Sequence, residues 1–188
     1  MNDLVAWRGE LAPGHARDAD GMLTIGGIRA AELARAYGTP LLALDLDVLD
    51  ASIAQFEEAC RPHGIEIAYA GKALLLVALA RRLAATSLQL DVCSLGELVT
   101  AERGGFPASR LTLHGCGKPD EELDAVAAGR VGTIVADSLE ELERLAEHAS
   151  AERPVDVLLR VNTGIEAHTH EFVRTGGDNT KFGVPERD

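Results

Sequence analysis

The stretch Ile65-Glu66-Ile67-Ala68-Tyr69-Ala70-Gly71-Lys72 is a short apolar run ending on a lysine, and the helix-forming segment Ala73–Ala85 follows at once. Read as a strand and then a helix, it places an amine at the strand's carboxyl end, where α/β proteins collect their chemistry. The pattern leaves two readings of Lys72 open. It is either an exposed cation after a strand, or a working amine whose ammonium is partly desolvated and can attack an aldehyde.

The same unit recurs downstream. Apolar runs begin near Ile65, Leu88, Leu111, Val131 and Val155, and helical runs lie between them at Ala73–Ala85, Leu95–Arg103, Asp120–Ala128 and Leu139–His148. Two of these helices open on capping boxes, Ser94 with Glu97 and Ser138 with Glu141, whose side chains satisfy orphan backbone N–H groups. Gly104-Gly105 and Gly129 close two of them. Strand–helix units at a regular period imply a parallel sheet with right-handed crossovers, as a doubly wound sheet or as a (β/α)8 barrel. Five units occupy residues 65–161, whereas a whole barrel needs eight strands and about 250 residues. If the sheet is a barrel, the chain stops inside it.

Upstream the pattern is less regular. Residues 1–21 read as an irregular lead-in, Met22–Ile25 as a short strand, Ile28–Tyr37 as a helix stopped by Gly38, and Pro40–Leu44 as a second strand. Asp45–Cys60 reads as a helix, with Leu46, Leu49, Ile53 and Phe56 on one face and Pro62 and Gly64 ending it. The tail from Asn162 to Asp188 is rich in Gly, Thr, His and charge and reads as a long loop without a strand.

Composition narrows the function. Of 188 residues, 46% are hydrophobic, enough for a sizeable core, and the formal net charge of −12 speaks against nucleic acid or an anionic membrane as partner. No window approaches the ~18 apolar residues of a membrane span, and Met1–Gly14 lacks the apolar core of a secretory leader. Cys60, Cys93 and Cys116 form neither a C-x-x-C motif nor an even set, so a reducing, cytoplasmic compartment is expected.

In a parallel sheet the carboxyl ends share one rim, which here collects Lys72, Asp91–Ser94, His114–Lys118, Asp137-Ser138 and Arg160–Asn162. Such a rim suits a small-molecule site. Other motifs fall short. Gly115-Cys116-Gly117-Lys118 approaches a phosphate loop, but Pro119 stands where G-x-x-x-x-G-K-S/T needs a hydroxyl. His168 and His170 with His114 make a weak metal set, Cys93 and Cys116 fit small hydrophobes as well as nucleophiles, and G-x-S-x-G is absent.

A set of motifs in order along residues 22–184 resembles the diaminopimelate decarboxylases. They are Tyr69-Ala70-Gly71-Lys72-Ala73, Leu90-Asp91-Val92-Cys93-Ser94-Leu95-Gly96-Glu97-Leu98, Gly105-Phe106-Pro107, His114-Gly115 and Lys118-Pro119-Asp120-Glu121-Glu122-Leu123. Leu159-Arg160-Val161-Asn162 follows, then Glu166-Ala167-His168-Thr169-His170, Thr175-Gly176 and Lys181-Phe182-Gly183. Leu74, Cys116 and Thr163 depart from the family's usual residues at the rim.

The resemblance implies an alanine-racemase-like fold: a pyridoxal-phosphate-binding (β/α)8 barrel, here incomplete with about five βα units, and N-terminal segments that join a β-rich second domain. On it, residues 1–45 would serve the β-rich domain and residues 46–188 a partial barrel. Lys72 would be the Schiff-base lysine of pyridoxal 5'-phosphate, with Ala70 and Asp91 beside it, Arg160 near the cofactor ring, and a mobile loop carrying His168, His170 and Thr175 over the site. The implied reaction is decarboxylation of meso-2,6-diaminopimelate to L-lysine and CO2, by a homodimer when full length. The family's remaining parts would lie beyond Asp188, so the chain is expected to carry the lysine without holding the cofactor tightly or turning over alone. The alternatives are a related arginine or carboxy-polyamine decarboxylase, a non-catalytic pyridoxal-phosphate-binding barrel, or an inactive fragment whose open sheet edges promote association.

Overall fold

A computed structural model describes residues 11–165 and 181–186. The chain clusters into two compact units, residues 1–65 and residues 66–188. Beyond the expected short strand, the first unit holds a meander of three: β1 (His15–Arg17), β2 (Leu23–Ile25) and β3 (Ile28–Arg29), antiparallel in that order. β1 falls in the stretch expected to be irregular, because three residues are too few to show alternation. Arg29 then leads into helix α1 (Ala30–Tyr37) and pairs with Asp18 and Asp20 on the turn between β1 and β2.

The expected strand at Pro40–Leu44 does not form. Its run is apolar, but no neighbouring strand among the described residues offers a ladder, and Leu42 stays 79% exposed. Helix α2 (Leu46–Cys60) begins where expected, with the Asp45 carboxylate accepting from Asp47 N at 3.0 Å and Val48 N at 3.3 Å. That carboxylate packs against Gly14, where a Cβ would stand 2.5 Å from Asp45 Oδ2. Gly14 also takes φ +77, so both space and backbone require glycine there.

The second unit is a five-stranded sheet of β4 (Ala68–Ala70), β5 (Gln89–Val92), β6 (Leu111–Leu113), β7 (Thr133–Ala136) and β8 (Asp156–Leu159). Every pairing is parallel, and the spatial order is the sequence order, β4-β5-β6-β7-β8. The order decides between the two architectures that the strand–helix pattern left open, in favour of the barrel that the family resemblance implies. A doubly wound sheet reverses direction at a switch point, whereas a barrel adds each strand on the same side of the last. This sheet never reverses, so it is an arc of a (β/α)8 barrel.

The connecting helices are α3 (Val77–Ala84), α4 (Leu95–Arg103), α5 (Asp120–Ala127) and α6 (Leu139–His148). Leu90, Val92, Leu111, Leu113, Ile134 and Ala136 alternate along the strands and are essentially buried, together with Leu83, Leu98 and Leu123 from the helices. Full burial of each large aliphatic side chain contributes about 1.5–3 kcal/mol. The alternate positions Gln89, Asp91, Thr112 and Thr133 are only half-buried, and they form the polar inner face.

Two local differences from the sequence reading have physical causes. Helix α3 starts at Val77 and not at Ala73: Gly71–Ala73 form a single 3-10 turn, and the Tyr69 hydroxyl donates to Leu74 O at 2.9 Å, holding the next residues extended. The Arg110 guanidinium donates to the carbonyls at the end of that unit, Ala84 O at 2.6 Å, Thr86 O at 2.5 Å and Leu88 O at 3.0 Å. In the tail, β9 (Val161–Asn162) and β10 (Val184–Pro185) form a parallel pair where no strand is expected. Two-residue strands carry no periodicity, so only the long-range ladder reveals them.

Helices α3 and α4 meet closely at Gly104, where an added Cβ would stand 2.5 Å from the Ala80 Cβ. Gly104 has an ordinary helical φ of −74, so the demand is for space alone. Gly104→Ala is expected to destabilise the chain by about 1–3 kcal/mol by overpacking, read as a lowered urea midpoint; an unchanged midpoint would contradict the close approach.

Candidate functional site

The rim is built by the backbone ladder. Ala70 pairs in register with Asp91, Asp91 with Thr112, and Leu113 with Ile134. Beyond β6 the ladder runs one residue further, with His114 N donating to Val92 O at 2.7 Å. Lys72 lies in the turn immediately after β4 and is exposed. Gly71, which precedes it, is buried, and a Cβ there would stand 2.8 Å from Asp91 O. A side chain at Gly71 would push the lysine's turn away from β5, so the spacing Gly-Lys has a steric reason.

Asp91 Oδ2 lies 3.7 Å from His114 Nε2, within ion-pair range and too long for a direct hydrogen bond. Desolvation is the main cause holding the His114 imidazole below its ordinary pKa; Asp91 opposes it, while the positive charges of Lys118, Arg160 and Lys72 reinforce it. Burial pushes the Cys93 thiol up, and Glu97 adds to the effect, so Cys93 is held as a thiol and not as a nucleophile. The positive charge of Lys72 acts on both Cys93 and His114, which gathers these groups electrostatically at one rim.

Arg160 follows β8 and is held from two sides. Its Nη1 donates to Asp137 Oδ1 at 2.8 Å, and its guanidinium lies over the Phe182 ring, 4.3 Å from the centroid. The other oxygen of Asp137 accepts from Gly183 N at 3.2 Å, and Val184 N donates to Arg160 O at 2.8 Å. A polar cleft of about 260 Å³ opens beside this pair, at the start of α6, between Cys116, Gly117, Ser138 and Lys181.

The two capping boxes differ in what their glutamates do. Ser94 Oγ accepts from Glu97 N at 3.2 Å, and Glu97 Oε2 returns to Cys93 N at 2.6 Å. Ser138 Oγ accepts from Glu141 N at 3.1 Å, but the Glu141 carboxylate turns away to the Lys118 ammonium at 2.6 Å. Sequence pattern identified both serines, and it could not foresee that Lys118 and Glu141 would be almost wholly buried, with side chains 1% and 4% exposed.

Of the residues singled out in the sequence, Lys72, Ala70, Asp91 and Arg160 all fall on this one rim. His168, His170 and Thr175 lie outside the described residues. Sequence reasoning placed His114 and Asp137 on the rim, His114 also in a weak metal set, but paired neither with the partner seen here. Phe182 stood in the Lys181-Phe182-Gly183 motif, yet nothing local marked it as a partner of Arg160, which it reaches from across a long connection.

The donor set fits a cofactor that carries an aldehyde. A primary amine is exposed in the turn after β4, and on the neighbouring strand a carboxylate stands beside an imidazole.

Residues 46–188 match the family described as pyridoxal-dependent decarboxylase, pyridoxal binding domain. The diaminopimelate decarboxylase of Mycobacterium tuberculosis (strain ATCC 25618 / H37Rv) is 41% identical over 98% of this chain and 41% of its own length. That of Bacillus subtilis (strain 168) is 41% identical over 87% of this chain and 38% of its own. The crystal structure of diaminopimelate decarboxylase from M. jannaschii in co-complex with L-lysine superposes with a TM-score of 0.81 at 29% identity, covering 93% of this chain and 42% of that one. The Helicobacter pylori enzyme complexed with L-lysine gives 0.75 at 28% identity, over 84% of this chain and 40% of that one. The chain thus spans about two fifths of the length of the curated relatives it matches, 41% and 38% in these two cases.

Two outcomes are expected from this geometry. Because the His114 pKa is depressed in the folded state, the unfolded chain binds more protons as pH falls below about 6.5. The stability from keeping His114 neutral is therefore present above that pH and lost as pH drops through the folded pKa. Denaturant midpoints between about pH 5 and 7.5 should fall less steeply on the acid side in His114→Gln than in the parent; equal slopes would sink the assignment. Among the described residues, Arg160→Met leaves the Gly183 N–H as the hydrogen-bond donor to the buried Asp137 carboxylate. It should cost about 1–3 kcal/mol, a loss that the further change Asp137→Asn partly restores in a double-mutant cycle.

Proposed function

The chain belongs to the pyridoxal-dependent decarboxylases, and from that membership we propose that it is the lysine-bearing barrel portion of a diaminopimelate decarboxylase. The reaction is loss of CO2 from meso-2,6-diaminopimelate to leave L-lysine. The observation that carries the reading is Lys72: an exposed amine in the turn after β4, in a barrel-ordered sheet, with Asp91 on the neighbouring strand. Relatives named for this activity, at 41% identity, support the choice of substrate.

Pyridoxal 5'-phosphate, when bound, supplies an electron sink for the pair released as CO2 leaves. The remaining work falls to side chains. Lys72 Nζ would hold the cofactor covalently through its aldehyde. Asp91 Oδ2 borders the same space and offers an anion to an amino group there. Ala70 keeps the floor low. Arg160, oriented by Asp137 and Phe182, brings a fixed positive charge that suits a cofactor phosphate or a substrate carboxylate.

We assign residues 1–45 to a β-rich second domain and residues 46–188 to the barrel, and the segment with His168, His170 and Thr175 to the covering of the site. The whole protein is a cytoplasmic homodimer in this reading. The three free cysteines support the compartment. The homodimer rests on the family resemblance.

The sequence has only three lysines, Lys72, Lys118 and Lys181, which makes the assignment sharply testable. With excess pyridoxal phosphate followed by borohydride, peptide mapping should place the adduct on Lys72, and Lys72→Ala should abolish it. An adduct spread over Lys181 and the amino terminus, unaffected by that change, would refute the site. A longer version of the protein that contains this chain should release CO2 from meso-2,6-diaminopimelate in preference to arginine.

A further inference from the structure

Lys118 is the most enclosed charged group among the described residues, with its side chain 1% exposed, and the reaction gives it no task. Its ammonium has three protons and three acceptors: Gly115 O at 2.6 Å, Val135 O at 2.7 Å and Glu141 Oε1 at 2.6 Å. These belong to three different pieces of the rim, the turn after β6, the end of β7 and the first turn of α6. The backbone of Lys118 is held as well, since its carbonyl accepts from Arg144 Nη1 at 3.0 Å.

What the three acceptors have beside them is informative. Gly115 directly follows His114; it takes φ +107, and a Cβ there would stand 3.2 Å from Cys93 O. Val135 stands two residues before Asp137, which grips Arg160. Replacing a buried ion pair with apolar residues is often neutral or stabilising, so stability alone gives no strong reason for charge at this spot. Position gives one. A single ammonium fixes, at once, the turn bearing His114 and the strand end leading to Asp137.

We propose that Lys118, held by Glu141, is a positioning residue of the rim that pins the turn after β6 so that His114 sits against Asp91. The inference deepens the reading of this rim as a cofactor site and rests on it. The charged and titratable groups facing His114 are Asp91 from β5, Lys72 after β4, Arg160 after β8 and Lys118 itself. Only Asp91 favours the imidazolium; the three cations oppose it. Lys118 thus acts on His114 twice, by placing its turn and by adding positive charge nearby. A neutral imidazole leaves the Asp91 carboxylate uncompensated by a histidine cation and free to face the Lys72 side of the rim.

The test follows His114 by proton NMR across pH in the 188-residue chain, with His114→Gln used to assign its resonance. The double change K118M/E141L removes the pair without stranding a charge. Loss of the pin takes His114 away from Asp91, so the added change Asp91→Asn should lower the His114 midpoint in the parent and leave it unmoved in the double variant. The rate of borohydride-trapped pyridoxal-phosphate adduct at Lys72 should fall several-fold. A variant that folds, with His114 titrating as in the parent and Lys72 labelled at the parental rate, would overturn the proposal. If K118M/E141L does not fold, E141Q serves instead. It keeps the carbonyl acceptors of Lys118 but removes the neutralising carboxylate, so the His114 midpoint should move down; an unmoved midpoint overturns the proposal. A parent chain whose Lys72 takes up no pyridoxal phosphate, while His114 still responds to these changes, would sink the cofactor reading and leave the positioning role standing.

Discussion

Parallel strands cannot be joined by tight turns, so each strand of this sheet must be followed by a return crossover before the next can begin. That requirement brings every carboxyl end to the same rim, and the rest of the second unit follows from it. The helices must lie on one face, which needs Leu90, Val92, Leu113 and Ile134 pointing outward and buried. The alternate residues are then forced onto the inner face. Lys72, Asp91, His114, Asp137 and Arg160 lie far apart in sequence, yet they meet at one edge because the strands run in register and in one direction.

At that edge the loops are braced by carboxylates from the first turns of the helices. Glu97 accepts from Cys93 N, Glu122 Oε1 accepts from Leu95 N at 2.8 Å, and Glu141 holds Lys118. In the second and third cases the carboxylate reaches back to the preceding strand–helix unit, so each unit is tied to the one before it. Burying charge is costly, and these side chains are tolerated because each finds a donor. The chain uses arginine for nearly all its other cations. Arginine suits planar pairing with carboxylates, as Arg130 does with Glu102, whereas lysine suits a compact point charge or a reactive amine. Lys118 fills the first of these roles, and the second is the one proposed for Lys72.

Much of the rim was legible before the structure. Lys72 stood out because charge is rare at the end of an apolar run, and Asp91 and Arg160 because they follow such runs. Ser94 and Ser138 were readable because a capping box is complete within four residues. Legibility failed where partners are distant. The Lys118–Glu141 pair spans 23 residues and the Gly183–Asp137 contact spans 46, and no local pattern encodes either. It failed too at Leu74, where a hydrogen bond from Tyr69 delays the helix that composition favours.

The sequence by itself determined the repeating strand–helix unit, the helix starts at Ser94 and Ser138, and a lysine at the head of the rim. These depend on periodicity and on groups within a few residues of one another, which any folded form of the chain must respect. Periodicity left the barrel and the doubly wound sheet equal; resemblance implied the barrel, and only the tertiary structure showed that the sheet keeps sequence order. It alone decided that Glu141 abandons its own cap for Lys118, and that His114 comes to rest against Asp91. Those outcomes turn on which strands become neighbours and on how much water remains between the groups, and both are set only when the crossovers close.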